Sequence, residues 1–367
     1  MRTCVVGGGL AGSLLAWRLA RSRHGGEVDL VLGDRCRVDA TAASGGAVRG
    51  YETHPSQRAL AVASLAELLA SPTLREWGGF RPGEAVYLPA PGVGEPLAAA
   101  VAEIEAALPG SASLVPATEL TRLGWADPPA GAVAVRERKA GCLTPGRLRD
   151  SVLADAAVRR RVRLLAATVE AVTLRPGAGP RCRVAGRDRD YDQVVVAAGP
   201  WTGRLLARTG LPAAGYRTKS IQYAIHHVDG WRPTQFVDEL LGCYGRPEGE
   251  GSLLLGVPTD RWGVDPDRPP TSPELPEAAV RRARTRFPRL RIGPAVRIVG
   301  AVDCYTDRPT LSLTPVPGTG GQVLTFTGGA GGCVKTALAA SRDAVTRLVE
   351  PGDRSALMTL GPREGQP

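Results

Sequence analysis

The chain has 367 residues, 43% of them hydrophobic and 22% charged, with a formal net charge of +10. That length and balance suit a globular protein of two lobes with room for a buried cofactor. No apolar run reaches about 18–20 residues, so no transmembrane helix and no membrane partner are expected. Seven scattered cysteines, without C-x-x-C spacing, argue against a disulfide framework or a zinc site. Only Lys139, Lys219 and Lys335 among the basic residues are lysine. Such an arginine bias, with abundant Ala, Gly and Pro, fits a GC-rich genome better than a nucleic-acid face. No nucleic acid partner is expected, although a basic surface suits an acidic partner or an anionic substrate.

Chemistry appears within the first ten residues. Cys4-Val5-Val6 reads as a short strand, Gly7-Gly8-Gly9-Leu10-Ala11-Gly12 as a turn, and Ser13–Arg21 as a helix. Glycines at 7, 9 and 12 form the dinucleotide fingerprint. Gly7 permits the tight turn, Gly9 lets backbone approach a pyrophosphate, and Gly12 lets the helix lie on the strand. The helix start offers N–H groups and partial positive charge to phosphates. Reading this start as a strand rather than a signal peptide places the protein in the cytoplasm. The second strand is Val28–Leu32. The acidic slot that takes ribose hydroxyls holds Gly33, which makes Asp34, with Arg35 beside it, the candidate.

Small residues follow in Thr41-Ala42-Ala43-Ser44-Gly45-Gly46-Ala47-Val48-Arg49. Thr41, Ser44, Gly45 and Gly46 are candidates for close approach to a flat ligand and its phosphates. Pro55–Ala70 is a scaffold helix. From about 72 to 138 the chain is rich in Pro, Gly and short β-like runs such as Ala85–Leu88. Thr144 then caps a helix beginning at Pro145. Strands follow at Val162–Leu165 and Ala167–Leu174, the latter containing the cofactor candidate Val169. The apolar strand ending in Ala197-Ala198-Gly199-Pro200-Trp201 reads as a buried parallel strand beneath a cofactor, with Ala198, Gly199 and Trp201 as contacts. Strand-like runs return at Ser220–His226, Gln235–Val237 and Ser252–Val257. The basic runs Arg159–Arg161 and Arg281–Arg282 are expected on solvated helix faces. Finally Val323–Thr327 enters a second glycine turn, Gly328-Gly329-Ala330-Gly331-Gly332-Cys333-Val334-Lys335, and a helix from Thr336 to Val349. Its start is again electropositive.

Five blocks in this order, VVGGGLAG, SGGAVRG, GCLTPGRL, VVVAAGPWTGRLL and TGGAGGCVK, resemble the FAD-dependent D-amino acid oxidase superfamily, which includes glycine and sarcosine oxidases. The resemblance spans the chain. It implies an α/β fold in which a Rossmann-like FAD-binding domain (1–75, 140–215 and 298–350) is interleaved with a β-sheet-rich α+β substrate domain (76–139 and 216–297). A loose tail covers 351–367. It further implies hydride transfer from the carbon of a C–N bond to flavin N5, with an imine product. Gly329, Ala330, Gly331, Gly332, Cys333, Val334 and Lys335 would then meet the flavin, with Lys335 a cation beside its pyrimidine ring.

Departures from the family pattern matter as much. The slot that holds a carboxylate-binding arginine in glycine and D-amino acid oxidases aligns with Asp303, and an acid there repels a free carboxylate. Cys304, next to the slot of a flavin-linked cysteine, should point to the opposite face, so FAD is expected to be non-covalent. The slot of an oxygen-activating lysine holds Leu254, with Lys219 on a neighbouring strand. Arg49, Tyr244, Arg246 and Tyr305 are the substrate-binding candidates, Lys335 and Asp303 the catalytic ones, and His226 and His227 candidate bases. The partner expected is a small amine or imine, free or carrier-protein-bound, of the kind found in antibiotic biosynthesis. Two alternatives stand beside it. One is an FAD-dependent dehydrogenase of a carrier-bound or C–O substrate; the other is a flavin-binding protein without turnover.

Overall fold

The structure, a computed structural model, describes residues 1–33, 38–92, 96–175, 177–329 and 331–349. Asp34, Arg35, Ala330 and the 351–367 tail, all singled out above, lie outside the described residues. Among the described residues no helix is long and apolar enough to cross a membrane.

A six-stranded sheet runs in the order Ser312–Pro315, Val323–Thr327, Gln193–Val196, Arg2–Val6, Glu27–Val31 and Val162–Leu165. Its neighbours are parallel except at the Ser312–Pro315 edge. The central strands are mostly apolar because both faces are covered, and the buried Asp29 among them is answered by Arg2 and Arg163. Val5, Leu30, Val195 and Leu324 pack on one side with the helices Leu10–Arg21, Pro145–Ala157 and Ala337–Val349. Cys4, Val6, Val31, Val194 and Val196 pack on the other with Val172 and Cys182 of a small antiparallel sheet.

An eight-stranded sheet covers this unit. Its order is Arg291–Tyr305, Arg217–Asp229, Ser252–Gly256, Cys243–Pro247, Gln235–Asp238, Ala85–Leu88, Val133–Glu137 and Ala112–Pro116. Leu253 and Leu255 face Ala279 and Ala283 of the outer helix Glu274–Arg286, while Leu254 faces inward. The apolar run Leu253–Leu255 is therefore also a strand covered on both sides. This is the expected α/β architecture, a Rossmann-like unit interleaved with a β-rich one.

Two local expectations change. The first helix begins at Leu10, three residues earlier than its glycine content suggests. Glycine lowers helix propensity, but tertiary contact overrides that here, since a Cβ on Gly12 would lie 2.1 Å from the Gly7 carbonyl oxygen. The Arg159–Arg161 run lies beyond the helix that ends at Ala157, in a turn before the next strand.

One buried ion pair ties the outer helix to the roof sheet. Arg286 Nε sits 2.6 Å from Asp238 Oδ2 with both residues buried, and Arg286 Nη1 donates to the Ala126 and Asp127 carbonyls. Removing one partner of such a pair leaves a desolvated charge and costs about 3–5 kcal/mol. Arg286→Met should lower stability by that order in urea unfolding, and adding Asp238→Asn should recover most of the loss. An Arg286→Met protein as stable as the parent would show that the pair carries no such weight.

Candidate active site

Three chain segments meet at the carboxyl edge of the six-stranded sheet. Gly7 (φ +123°) turns so tightly that a Cβ there would lie 2.3 Å from the Ala197 carbonyl oxygen. Its amide donates to Val31 O, and Ala197 N donates to Val6 O. From the far side, Gly331 and Gly332, both with positive φ, lead through a short turn, Cys333–Lys335, into the Ala337–Val349 helix. The inner face of the eight-stranded sheet closes the space. The result is a cavity of about 820 Å³.

Of the residues singled out from the sequence, Gly7, Gly9, Leu10, Ala11, Thr41, Ser44, Gly45, Val169, Ala198, Gly199, Trp201, Gly331, Gly332, Cys333, Val334 and Lys335 line this cavity. So do Arg49, Tyr244, Arg246, Asp303 and Tyr305, and so does Cys304, which strand alternation was expected to turn to the opposite face. Gly12, Gly46 and Gly329 do not. Each is turned toward backbone instead: Gly12 toward Gly7, Gly46 toward Leu143 and Gly329 toward Thr310 and Leu311. His226 and His227 also lie elsewhere. His226 is buried near the Gly293 carbonyl, and His227 pairs with Asp229 at the surface. Sequence reading missed Glu52, Tyr87, Tyr223, Arg204 and Arg208, which also line the walls.

The wall formed by the first glycine turn leaves room for a ligand close to backbone. Drug-sized ligand pockets span roughly 300–1,000 Å³, and this one is at the upper end. Gly9 has only the Thr41 hydroxyl near its missing Cβ, at 3.4 Å, so open space stands where a side chain would project. That hydroxyl accepts from the Leu10 amide at 3.0 Å, which places Thr41 at the helix start. Both the Leu10 and Ala337 helices begin at the cavity wall with partial positive charge.

The cations of the wall are engaged inside the protein. Arg49 Nη2 lies 2.9 Å from Glu52 Oε1, and Lys335 Nζ lies 2.7 Å from the same oxygen. Burial would push Glu52 up, but Lys335 and Arg49 together hold it below its ordinary value. Burial lowers Lys335, and Glu52 resists that shift. Arg204 pairs with Asp265 and Asp267, and Arg208 donates to the Val169 carbonyl. Arg246 is committed to the Gly45 carbonyl and to Glu248. Arg49 and Arg246, expected as substrate ligands, therefore already have partners because the wall surrounds each with acceptors.

At the roof, Asp303 and Tyr305 share one face of the last long strand. Burial pushes the Asp303 carboxyl up to about 6. Its field and burial raise Tyr244 and Tyr305, burial being the larger cause. Gly256 has no side chain, so Tyr244 leans across it and donates to the Gln222 carbonyl at 3.4 Å. Burial also keeps two thiols protonated. Cys304 is pushed up to about 11, and Cys333, whose Sγ donates to the Gly328 carbonyl, to about 12.

The family model described as FAD dependent oxidoreductase matches residues 2–347. Glycine oxidase from Geobacillus kaustophilus has the same fold, with a TM-score of 0.76 and 21% identity over 99% of this chain and 100% of that one. L-proline dehydrogenase from P. horikoshii has a TM-score of 0.75 at 15% identity, over 95% of this chain and 92% of its own. NikD, an unusual amino acid oxidase essential for nikkomycin biosynthesis, has a TM-score of 0.72 at 17% identity, over 97% and 96%. No curated protein sequence matches the chain.

The glycines separate fold from binding. Gly9→Val should give a folded protein, by circular dichroism, that purifies with less than a tenth of the parent's FAD. Gly7→Val should disturb the turn itself, because its side chain would enter the Ala197 backbone. A Gly9→Val protein with a full complement of FAD would contradict this division.

Proposed function

This chain belongs to the FAD-dependent oxidoreductase family, and on that footing we propose that it oxidises a C–N bond in a small amine, imino acid or amino-acid-derived substrate. The single observation that carries the reading is the cavity bounded by both glycine turns and roofed by Asp303, Tyr244 and Tyr305. The named activities of the three structural neighbours, all on amino acids, support it. NikD's role in nikkomycin biosynthesis also makes a specialised-metabolite pathway a reasonable setting.

Bound FAD supplies the hydride acceptor, and the substrate carbon beside nitrogen becomes an imine carbon. The protein's own residues do the rest. Gly9, Leu10 and Ala11 with Thr41 would hold the pyrophosphate, while Ala198, Gly199 and Trp201 would line the dinucleotide's path. Lys335, fixed by Glu52, would hold a positive charge beside the ring that gains negative charge. The roof strands would hold the substrate against the glycine turns. Cys304, protonated and packed beside Thr327, is not activated for attachment, which favours non-covalent FAD.

A carrier-linked substrate is the second reading. An adjoining cavity of about 690 Å³ shares Ser44, Tyr223 and Arg246 with the first, and Arg81, Arg147 and Arg297 line it. Asp150 and Glu248 line it too, with Glu248 paired to Arg81 and Arg246, so the arginines outnumber the acids and the cavity suits an anionic tether.

Anaerobic addition of primary amines, cyclic amines and imino acids should bleach the yellow of the FAD-loaded protein, with free glycine and D-alanine among the slowest. Lys335→Met should retain FAD but slow bleaching by about 10²-fold, the scale of removing one donor from a developing anion. A loaded protein that no member of the panel bleaches would contradict the reading. An unchanged rate in Lys335→Met would confine that lysine to holding Glu52.

A further inference from the structure

The acids of the cavity wall divide unevenly. Asp39 pairs with Arg149 at 3.0 Å, Glu52 with Arg49 and Lys335, and Asp267 with Arg204. Asp303 lines the same cavity, and although its backbone belongs to a paired strand, among the described residues no hydrogen bond or ion pair engages its carboxylate. The cations offer it nothing, since each lining arginine and lysine is engaged elsewhere as described above. Asp303 is half-buried and faces the cavity, so its carboxylate is open to a ligand that brings the opposite charge.

The surroundings specify the ligand further. Tyr305 stands two residues along the strand from Asp303 on the same face, and its hydroxyl reaches the Gly331 turn. Tyr244 arrives from the other side across Gly256. Aromatic faces with a carboxylate behind them attract a positive nitrogen through the ring quadrupole and the full charge together. They repel a carboxylate.

We propose that Asp303, flanked by Tyr244 and Tyr305, is a subsite for a positively charged nitrogen, so that the enzyme selects amines that arrive as ammonium ions and lack an adjacent free carboxylate, the ammonium passing its proton to the Asp303 carboxylate before hydride leaves the neighbouring carbon. This rests on the oxidation reading and names the substrate class for that same cavity. The ionisable groups facing Asp303 are few. Lys219 lies opposite it on the neighbouring strand, with its ammonium 4.7 Å from the Trp262 ring centre and 5.8 Å from that of Tyr305. Cys304 is its chain neighbour. Cys333 and Lys335 come from the glycine turn, and Lys335 is balanced by Glu52. Lys219 does not line the cavity, and its ammonium is held by these rings rather than by the Asp303 carboxylate.

Benzyltrimethylammonium tests the subsite without turnover, because its nitrogen has no lone pair to drive hydride loss. The FAD-loaded protein is titrated with it, with neutral neopentylbenzene and with anionic phenylacetate, followed by calorimetry and by the flavin spectrum. The cation should bind at least about tenfold more tightly than either. Its affinity should rise between pH 5 and 7, because Asp303 is neutral below about 6 and ionised above it. Asp303→Asn should erase the preference and the pH dependence with FAD still bound. Tyr305→Leu should weaken the cation about fivefold, and Lys219→Met should leave binding intact or tighten it. Equal or stronger phenylacetate binding, or an Asp303→Asn protein that keeps the preference, overturns the proposal. An FAD-loaded protein that amines bleach but the cation ignores overturns it alone. A protein that binds the cation but that no amine bleaches overturns the oxidation reading instead.

Discussion

Everything in this molecule hangs on a place where three backbones touch with no space for a side chain. Gly12 lies against the carbonyl of Gly7, and Gly7 against the carbonyl of Ala197. That contact brings the first helix down onto the first strand and sets the neighbouring strand's end beside both. The helix start, its N–H groups and its partial charge consequently face the sheet edge rather than solvent. In a parallel sheet, this crevice beyond the carboxyl ends of the strands is where ligands bind. The second glycine turn reaches the same crevice from the strand Val323–Thr327, paired in parallel with Gln193–Val196.

A second constraint is electrostatic. Placing Arg49, Glu52 and Lys335 together in the interior is expensive unless every charge is matched. Glu52 answers both cations at once, and Glu137 and Glu239 also act on Arg49. The roof carries an acid of its own, Asp303, whose carboxylate faces the cavity.

Much of the fold was legible because it follows from local rules. The opening glycines, the apolar strand Gln193–Val196 and the Pro-started helix at Pro145 each carry their own signal. The scaffold helix Pro55–Ala70 occurs with the expected ends. What remained hidden depends on contacts between distant residues. Glu52 looks like a surface acid until Lys335 comes to lie beside it across the fold. Arg246 looks free until the Gly45 carbonyl and Glu248 surround it. Tyr223 sits in an ordinary strand, and only the pairing of Tyr223 and Tyr244 around Gly256 shows that they share a cavity face. Glycine also misled in one place. Gly12 lies inside a helix that its propensity argues against, because packing there needs the absence of a Cβ.

The most direct measurement of the central claim is a crystal structure of the protein loaded with FAD. The account predicts continuous density for one dinucleotide, with its pyrophosphate at Gly9 and Leu10 and its ring system between the Gly331–Lys335 turn and the strand face of Asp303 and Tyr305. There should be no bond to Cys304. Density for FAD anywhere else, or a ring joined to Cys304, would contradict it.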